Sequence, residues 1–118
     1  MKTIVINLQE RSDRLSLFTK NNADKAPEIR VFPAVNGKEV TMEKLKAKGF
    51  DTDKDWRDPK LDRVLTWGEI GCFLSHFSIW EMIADGEEPI LVMEDDVMLF
   101  KTVAEITPYL GGHELLYL

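Results

Sequence analysis

The run TIVINL, residues 3–8, constrains the fold of this chain more than any other segment. It is rich in β-branched residues and carries no charge, so it predicts a buried strand. The segment RSDRLSLFTKNN, residues 11–22, has apolar residues toward one side and predicts a helix. EIRVFPAV, residues 28–35, predicts a second short strand that proline interrupts. Strand, helix and strand in this order predict an α/β fold.

The middle of the chain predicts a short helix and a loop before its strongest helical segment. TMEKLKAKGF, residues 41–50, predicts a helix that ends at Gly49. The following residues 51–63 are polar, contain a proline and show no period, so we expect a surface loop there.

The segment TWGEIGCFLSHFSIWEMIADG, residues 66–86, predicts the longest helix. Thr66 followed three residues later by Glu69 is the pattern of a capping box. The apolar residues form a wide arc, so we expect most of the helix to be buried, Cys72 included. Ser75 is expected on the narrow polar side.

The last third of the chain predicts a strand, a helix and a final strand. PILVMED, residues 89–95, predicts a central strand, residues 102–110 a short helix, and ELLYL, residues 114–118, an apolar strand. A chain that stops on such a strand is expected to be cut short at its carboxyl end. An unpaired edge there would favour pairing with a second copy of the chain.

Composition excludes several classes of protein. The 118 residues include 15 Lys and Arg against 21 Asp and Glu, a formal charge of −6, and the scattered basic residues do not form a nucleic-acid-binding surface. The single cysteine excludes an intramolecular disulfide and a cysteine-rich zinc site. Neither a signal-peptide core nor an apolar run of about 18 residues is present, so we expect a cytoplasmic protein without a transmembrane segment.

Three carboxylates in a row follow the predicted strand at residues 89–95, namely Glu94, Asp95 and Asp96. Adjacent like charges at the end of a buried strand repel one another and lose hydration unless a cation lies nearby. Since side chains alternate along a strand, Glu94 and Asp96 should share one side and Asp95 should point away. Two carboxylates on one side suit a single Mg²⁺ or Mn²⁺ ion.

A plain charged loop is the alternative interpretation of these acidic residues. The apolar residues 97–100 resume directly after them, which argues against a freely solvated loop. In open α/β sheets, ligands bind beyond the carboxyl ends of the strands, where this triplet is expected to lie.

The segment NLQERSDR, residues 7–14, joins the first strand to the first helix. Backbone amides at the helix start could hold an anion, with Arg11 or Arg14 adding charge-assisted hydrogen bonds. Equally compatible with the spacing is a structural interpretation, in which Ser12 and Asp13 begin the helix and the arginines are solvated.

His76 lies within the apolar arc of the long helix. Such a histidine is more often a hydrogen-bonded core residue than a ligand. A nucleophile pair with Ser75 is excluded, because neighbours in sequence do not face each other on a helix.

Three segments occur in an order that is specific as a set, although each alone is weak. They are VINLQERSDR (5–14), LTWGEIGCFLSH (65–76) and LVMEDDV (91–97), with FPAVNG (32–37) between the first two. Together they resemble glycosyltransferase family 25, which includes lipooligosaccharide galactosyltransferases and the related collagen galactosyltransferase domains. The resemblance spans nearly the whole chain.

The resemblance implies a nucleotide-sugar-binding fold of the GT-A type, Rossmann-like, that transfers galactose or a similar sugar from a UDP donor to a glycan acceptor with inversion. It implies Mn²⁺ or Mg²⁺ as cofactor. Asp96 would be the direct metal ligand, with Glu94 a second ligand or a ribose contact and Asp95 part of the donor site. The cation would also relieve the repulsion among the carboxylates.

The resemblance extends to residues outside the acidic triplet. Asn7, Leu8, Arg11 and Arg14 match the first family motif and would lie near the nucleoside. Ser75 and His76 match the second motif and would border the donor pocket.

Family members continue well beyond the length of this chain, which predicts that residues 1–118 form one donor-binding half without an assignable catalytic base. Two other interpretations remain open. One is a non-catalytic remnant that binds nucleotide or metal, or pairs through its sheet edge with another chain. The other, a phosphotransfer receiver, fits poorly because its metal-binding acidic pair would follow the first strand.

Overall fold

The computed structural model describes residues 1–111, which form two compact units. We call residues 1–33 and 86–111 the sheet unit, and Ala34–Asp85 the helical unit. Each unit has a buried apolar cluster of its own. The single domain that the sequence predicts over residues 1–118 stays a prediction.

A parallel three-stranded sheet organises the sheet unit. Strand β1 spans Lys2–Asn7, β2 spans Ile29–Pro33 and β3 spans Ile90–Glu94, in the order β2-β1-β3. The β1 register pairs Val5 with Val31 on one side and with Met93 on the other. The α/β prediction is confirmed. Among residues 1–111, β1 is paired on both sides and β3 on one. The prediction that β3 is central stays a prediction, because the strand expected at residues 114–118 lies outside the described residues.

Helix α1, Ser12–Asn22, connects β1 to β2 as predicted. The buried cluster of the sheet unit consists of Val5, Phe18, Ala26, Met93 and Val103, and Ile29 of β2 packs against it. Helix α4, Val103–Ile106, continues into a 3₁₀ turn over Thr107–Tyr109, which confirms the helix expected near residues 102–110. The strand predicted at residues 114–118, and the edge pairing inferred from it, lie outside the described residues.

The helical unit contains a 3₁₀ turn and two helices. The turn spans Gly37–Glu39, α2 spans Met42–Ala47 and α3 spans Trp67–Ile83. Gly49 has a positive φ of 84°, which suits its place after α2. The capping box of α3 forms as predicted, and the buried cluster consists of Val40, Leu45, Ile70 and Leu74.

The buried face of α3 differs from the prediction. Ser75, expected on the polar side, is fully buried, whereas Cys72, Phe73 and Trp80, expected in the buried arc, are exposed. Apolar residues occur all round this helix, so the sequence pattern does not determine which side is covered.

Two glycines allow close packing between α3 and the 3₁₀ turn. A Cβ atom on Gly71 would lie 2.7 Å from the carbonyl oxygen of Val35, and one on Gly37 would lie 2.0 Å from that of Trp67. Ser75 joins the same contact: its Oγ accepts a hydrogen bond from the Val35 amide at 2.8 Å and donates one to the Gly71 carbonyl at 2.7 Å. Small residues and a hydroxyl therefore select the covered side.

Within residues 1–111, no helix combines the length and the apolar character that crossing a bilayer requires.

Candidate functional site

The carboxyl ends of β1 and β3 bring Asn7 and Asp95 together. Ile6 is paired with Glu94 in the parallel register, so the next residue of each strand emerges at the same edge. The Asn7 side-chain amide donates a hydrogen bond of 2.6 Å to Asp95 Oδ2, and a second of 3.0 Å to the Arg11 carbonyl. The contact joins residues 88 positions apart in sequence and fixes the turn formed by Glu94, Asp95 and Asp96, which we call the acidic turn, to the end of β1.

Arg14 provides the positive charge that the acidic residues need. Arg14 lies in the first turn of α1. Its guanidinium pairs with Asp95 Oδ1, and the Nη2 atom of the same guanidinium lies 3.1 Å from Asp96 Oδ2. The Asp95 side chain is only 9% exposed, with one oxygen bound by Asn7 and the other by Arg14. The charge of the most buried carboxylate is thus compensated within the protein.

Asp96 and Glu94 face solvent more openly. The Asp96 side chain is 66% exposed, and its second oxygen has no partner among residues 1–111. Glu94 is the exposed last residue of β3, and its carbonyl accepts a hydrogen bond from the Val97 amide. The expected alternation is wrong beyond this point, because the strand has ended and both Asp95 and Asp96 turn toward Arg14.

Asn22, a residue that sequence reasoning missed, anchors the segment after the acidic residues. It is fully buried at the end of α1 and donates hydrogen bonds to the carbonyls of Phe18 and Val97, at 2.9 and 3.0 Å. Its Oδ1 accepts a bond of 2.8 Å from the Leu99 amide. A polar residue in the last turn of an amphipathic helix gives no sequence signal of such a role.

The apolar residues 97–100 do not return to the interior as a group. Leu99 packs against the buried cluster of the sheet unit, whereas Val97, Met98 and Phe100 are exposed. The segment is held in place by Asn22 rather than by burial of its apolar side chains. The segment is thus not a freely solvated loop, as expected, although hydrogen bonds and Leu99 hold it rather than burial of all its apolar side chains.

The Arg11 side chain pairs with Asp13. Its Nε and Nη2 donate two parallel hydrogen bonds of 2.9 Å to the carboxylate, which lower the pKa of Asp13 to about 2. Leu8 contributes its carbonyl, which accepts the Arg11 amide at 2.8 Å. Of the four residues in the first motif, Asn7 and Arg14 contact the acidic turn, whereas the Arg11 side chain makes a local ion pair.

Ser75 and His76 belong to the helical unit. Both hydrogen-bonding directions of the Ser75 hydroxyl are used within that unit, as described above, which is the behaviour of a structural residue. His76 is half-buried, and its ring centroid lies 6.3 Å from that of Trp80. The assignment of these two residues to a donor site stays a prediction.

Comparison with known proteins gives one consistent family. The protein-family model described as glycosyltransferase family 25 (LPS biosynthesis protein) matches residues 1–115 of this chain. A glycosyltransferase 25 family member from Aedes aegypti is 38% identical over 96% of this chain and 20% of its own length. Procollagen galactosyltransferase 2 from Mus musculus is 44% identical over 79% of this chain and 15% of its own length.

A third relative differs in its stated activity. A protein from Rattus norvegicus described as probable inactive glycosyltransferase 25 family member 3 is 39% identical over 81% of this chain and 17% of its own length. The chain thus spans about a fifth or less of these curated relatives. No solved structure matches this chain significantly.

Proposed function

The chain belongs to glycosyltransferase family 25, and we propose that it forms the donor-binding part of a galactosyltransferase that uses a UDP-sugar, with UDP-galactose as the preferred donor. The observation that carries this proposal is the cluster of Asn7, Arg14 and Asp95 at the carboxyl ends of two adjacent parallel strands. Ligands of open α/β sheets bind at this edge. We interpret the sheet as part of a fold of the GT-A type.

The cluster suits a nucleotide that carries a diphosphate. Arg14 is one-third exposed, so its guanidinium can approach a phosphate oxygen while it still contacts Asp95. Asn7 and the Leu8 backbone are proposed to border the nucleoside, and Arg11 is proposed to lie near it as part of the same donor site. Ser75 and His76 are kept in the proposed donor site on the strength of their family motif alone.

The exposed carboxylates fit a divalent cation. Asp96 and Glu94 offer hard oxygen atoms to solvent, and Asp96 has one oxygen without a partner among residues 1–111. Mg²⁺ and Mn²⁺ accept one or two carboxylates together with water and phosphate oxygens. When bound, such an ion would neutralise the negative charge of the leaving UDP.

The acceptor is proposed to be a hydroxyl group on a glycan or a protein. Attack of that hydroxyl on the anomeric carbon, with departure of UDP from the opposite side, would invert the configuration. A base must take the hydroxyl proton, and we assign none to this chain. Relatives named procollagen galactosyltransferase favour a protein acceptor over a lipooligosaccharide.

A non-catalytic nucleotide-binding protein is the second candidate. Both oxygens of Asp95 are bound by Asn7 and Arg14, so the most buried carboxylate of the triplet serves the fold. One similar relative is described as probably inactive. This candidate predicts binding of UDP-galactose without turnover.

Calorimetric titration of the purified chain with UDP-galactose, in Mn²⁺ and in EDTA, tests the proposal. We expect binding that depends on Mn²⁺ and that Asp96→Asn weakens about tenfold or more, equivalent to about 1.4 kcal/mol. Asp24→Asn removes an exposed acidic residue that is paired with Lys25, and it should leave binding unchanged. Equal affinity in EDTA, or equal affinity of the Asp96→Asn variant, would contradict the proposed metal site. Transfer of galactose from UDP-galactose to an acceptor would distinguish an enzyme from a non-catalytic nucleotide-binding protein.

A further inference from the structure

A cavity of about 400 Å³ opens in the helical unit. Two tryptophans line it, Trp56 from the loop after α2 and Trp67 from the first turn of α3. Ile70 of the buried cluster and Met42, which packs against that cluster, line its apolar interior. The volume is at the lower end of the range for small-molecule sites, which is about 300–1,000 Å³.

The two tryptophans are exposed although they are large and apolar. Trp56 is 41% exposed and Trp67 is 42% exposed. Exposed aromatic side chains that line a concave surface are a common feature of ligand sites. Covering them with a ligand would remove apolar area from water, at about 25 cal/mol per Å².

Trp67 is attached to a helix, and Trp56 lies just before a turn that a side chain closes. Trp67 follows the Thr66 cap, and its carbonyl lies so close to Gly37 that no side chain fits between them. The turn after Trp56 is closed by Asp58, whose carboxylate accepts the amides of Lys60 and Leu61 at 2.8 Å. Trp67 is therefore held by the start of α3, and a wall that is already ordered loses less conformational entropy when a ligand binds.

The polar part of the cavity is acidic but not strongly charged. Asp51, Asp53 and Lys54 line it, with one surplus negative charge, and no arginine is among the described lining residues. Asp53 Oδ1 accepts the Asp55 amide at 2.9 Å, so this carboxylate is oriented by the backbone. A phosphate group would be repelled, and a wholly apolar ligand would remove the carboxylates from water.

We propose that this cavity binds a neutral pyranose sugar. The C–H groups of a pyranose ring form an apolar face that suits the electron-rich face of an indole, and its hydroxyl groups donate hydrogen bonds to carboxylates. Trp56 and Trp67 would contact the ring, and Asp51 and Asp53 would accept hydroxyl hydrogen bonds. The site lies wholly within the helical unit and does not depend on donor binding at the acidic turn.

An NMR titration with methyl β-D-galactopyranoside tests the proposal, because the three tryptophans of the chain give three indole N–H signals. We expect saturable shifts of the Trp56 and Trp67 signals and none of Trp80, which is exposed on α3 but does not line the cavity. Sorbitol, a polyol without a ring, should produce no saturable shift. Trp56→Ala should weaken binding about tenfold or more, whereas Trp80→Ala should not change it.

Several results would overturn the proposal. Equal responses to sorbitol, or shifts with UDP alone, would indicate a site that does not recognise a sugar ring. Unchanged affinity in Trp56→Ala, with a dispersed spectrum that shows intact folding, would also contradict it. Asp96→Asn should leave the hexoside titration unchanged, so this proposal and the donor-site proposal fail separately.

Discussion

Asp95 carries out a structural task that its neighbours in sequence do not share. Its two oxygens connect the end of β1, through Asn7, to the first turn of α1, through Arg14. A carboxylate that is only 9% exposed needs such partners, because burial of an unpaired charge costs free energy. Asp95 therefore sets the position of the more exposed Asp96, which is the better candidate for ligand contact.

Asn22 provides the sharpest prediction for a single residue. Asn22→Ala removes three hydrogen bonds and leaves the Val97 carbonyl and the Leu99 amide without these partners, so we expect a loss of about 2–3 kcal/mol of unfolding free energy. Urea unfolding followed by circular dichroism measures this loss. Asn21→Ala is the matched control, since the Asn21 side chain makes no hydrogen bond within residues 1–111. Equal effects of the two substitutions would contradict the anchoring role of Asn22.

Sequence reasoning predicted part of this site. Parallel strands end at one edge, so the proximity of residues 7 and 95 follows from the order of the elements. Which carboxylate Arg14 binds does not follow, because it depends on where β3 ends and the chain turns. The pairing of Arg11 with Asp13 does not follow from the sequence either, because solvated arginines and an anion site fit the spacing equally well.

Helix α3 depends on the absence of a side chain at one of its glycines. Gly71→Ala would place a Cβ 2.7 Å from the Val35 carbonyl, so we expect a loss of about 1–3 kcal/mol, although alanine favours helix formation. Gly68→Ala is the control on the same helix, because the nearest atom would be 3.8 Å away, and it should be neutral or stabilising by up to about 1 kcal/mol. Chemical denaturation compares the two variants, and a stabilised Gly71→Ala would exclude the close contact.

The cap of α3 should make stability depend on pH. Arg63, together with Thr66, lowers the pKa of Glu69 from the usual 4.5 to about 2. The ionised carboxylate therefore stabilises the fold fully above about pH 4.5, and this contribution is lost as the pH falls toward 2. Glu69→Gln should reduce the difference in melting temperature between pH 6 and pH 3.

The comparison needs a second glutamine variant. Glu81→Gln removes an exposed carboxylate from the same helix and controls for the change in net charge. If both variants keep the full pH difference of the wild type, Glu69 does not provide the proposed stabilisation at the start of α3.

The elements differ in how well their sequence predicts them. The capping box of α3 is local, so residues 66–69 were sufficient to predict it. The covered side of α3 is determined by Gly37, Gly71 and Ser75, which contact segments far away in sequence. Residues 51–63 were predicted as a surface loop, which is correct, but no sequence period indicates that they line a cavity.

At the scale of the whole molecule, two separate apolar clusters support the two units. The cluster around Val5 and Phe18 holds the sheet unit, and the cluster around Ile70 and Leu74 holds the helical unit. The acidic turn and Arg14 lie in the sheet unit, and the candidate sugar site lies in the helical unit. Local stability should therefore be measured in each unit rather than by one global signal.

Native-state hydrogen exchange makes that measurement residue by residue. In the sheet unit, we expect the slowest amides in β1, because this strand is bonded on both sides and its residues 3–7 are buried. In the helical unit, the slowest amides should lie in α3 between residues 70 and 79. Residues 51–65, which form no helix or strand, should exchange much faster.

The hydrogen-exchange rate of β3 tests whether a further strand pairs with its second side. With β1 as its one neighbour, β3 should exchange faster than β1 and at a rate similar to that of β2. Protection of β3 equal to that of β1 would instead indicate a further strand on its open side, as expected for the apolar residues 114–118. Deletion of residues 114–118 distinguishes the two cases, because it lowers the protection of β3 only if that strand pairs with it. The result would determine whether the acidic turn lies at an edge of the sheet or within it.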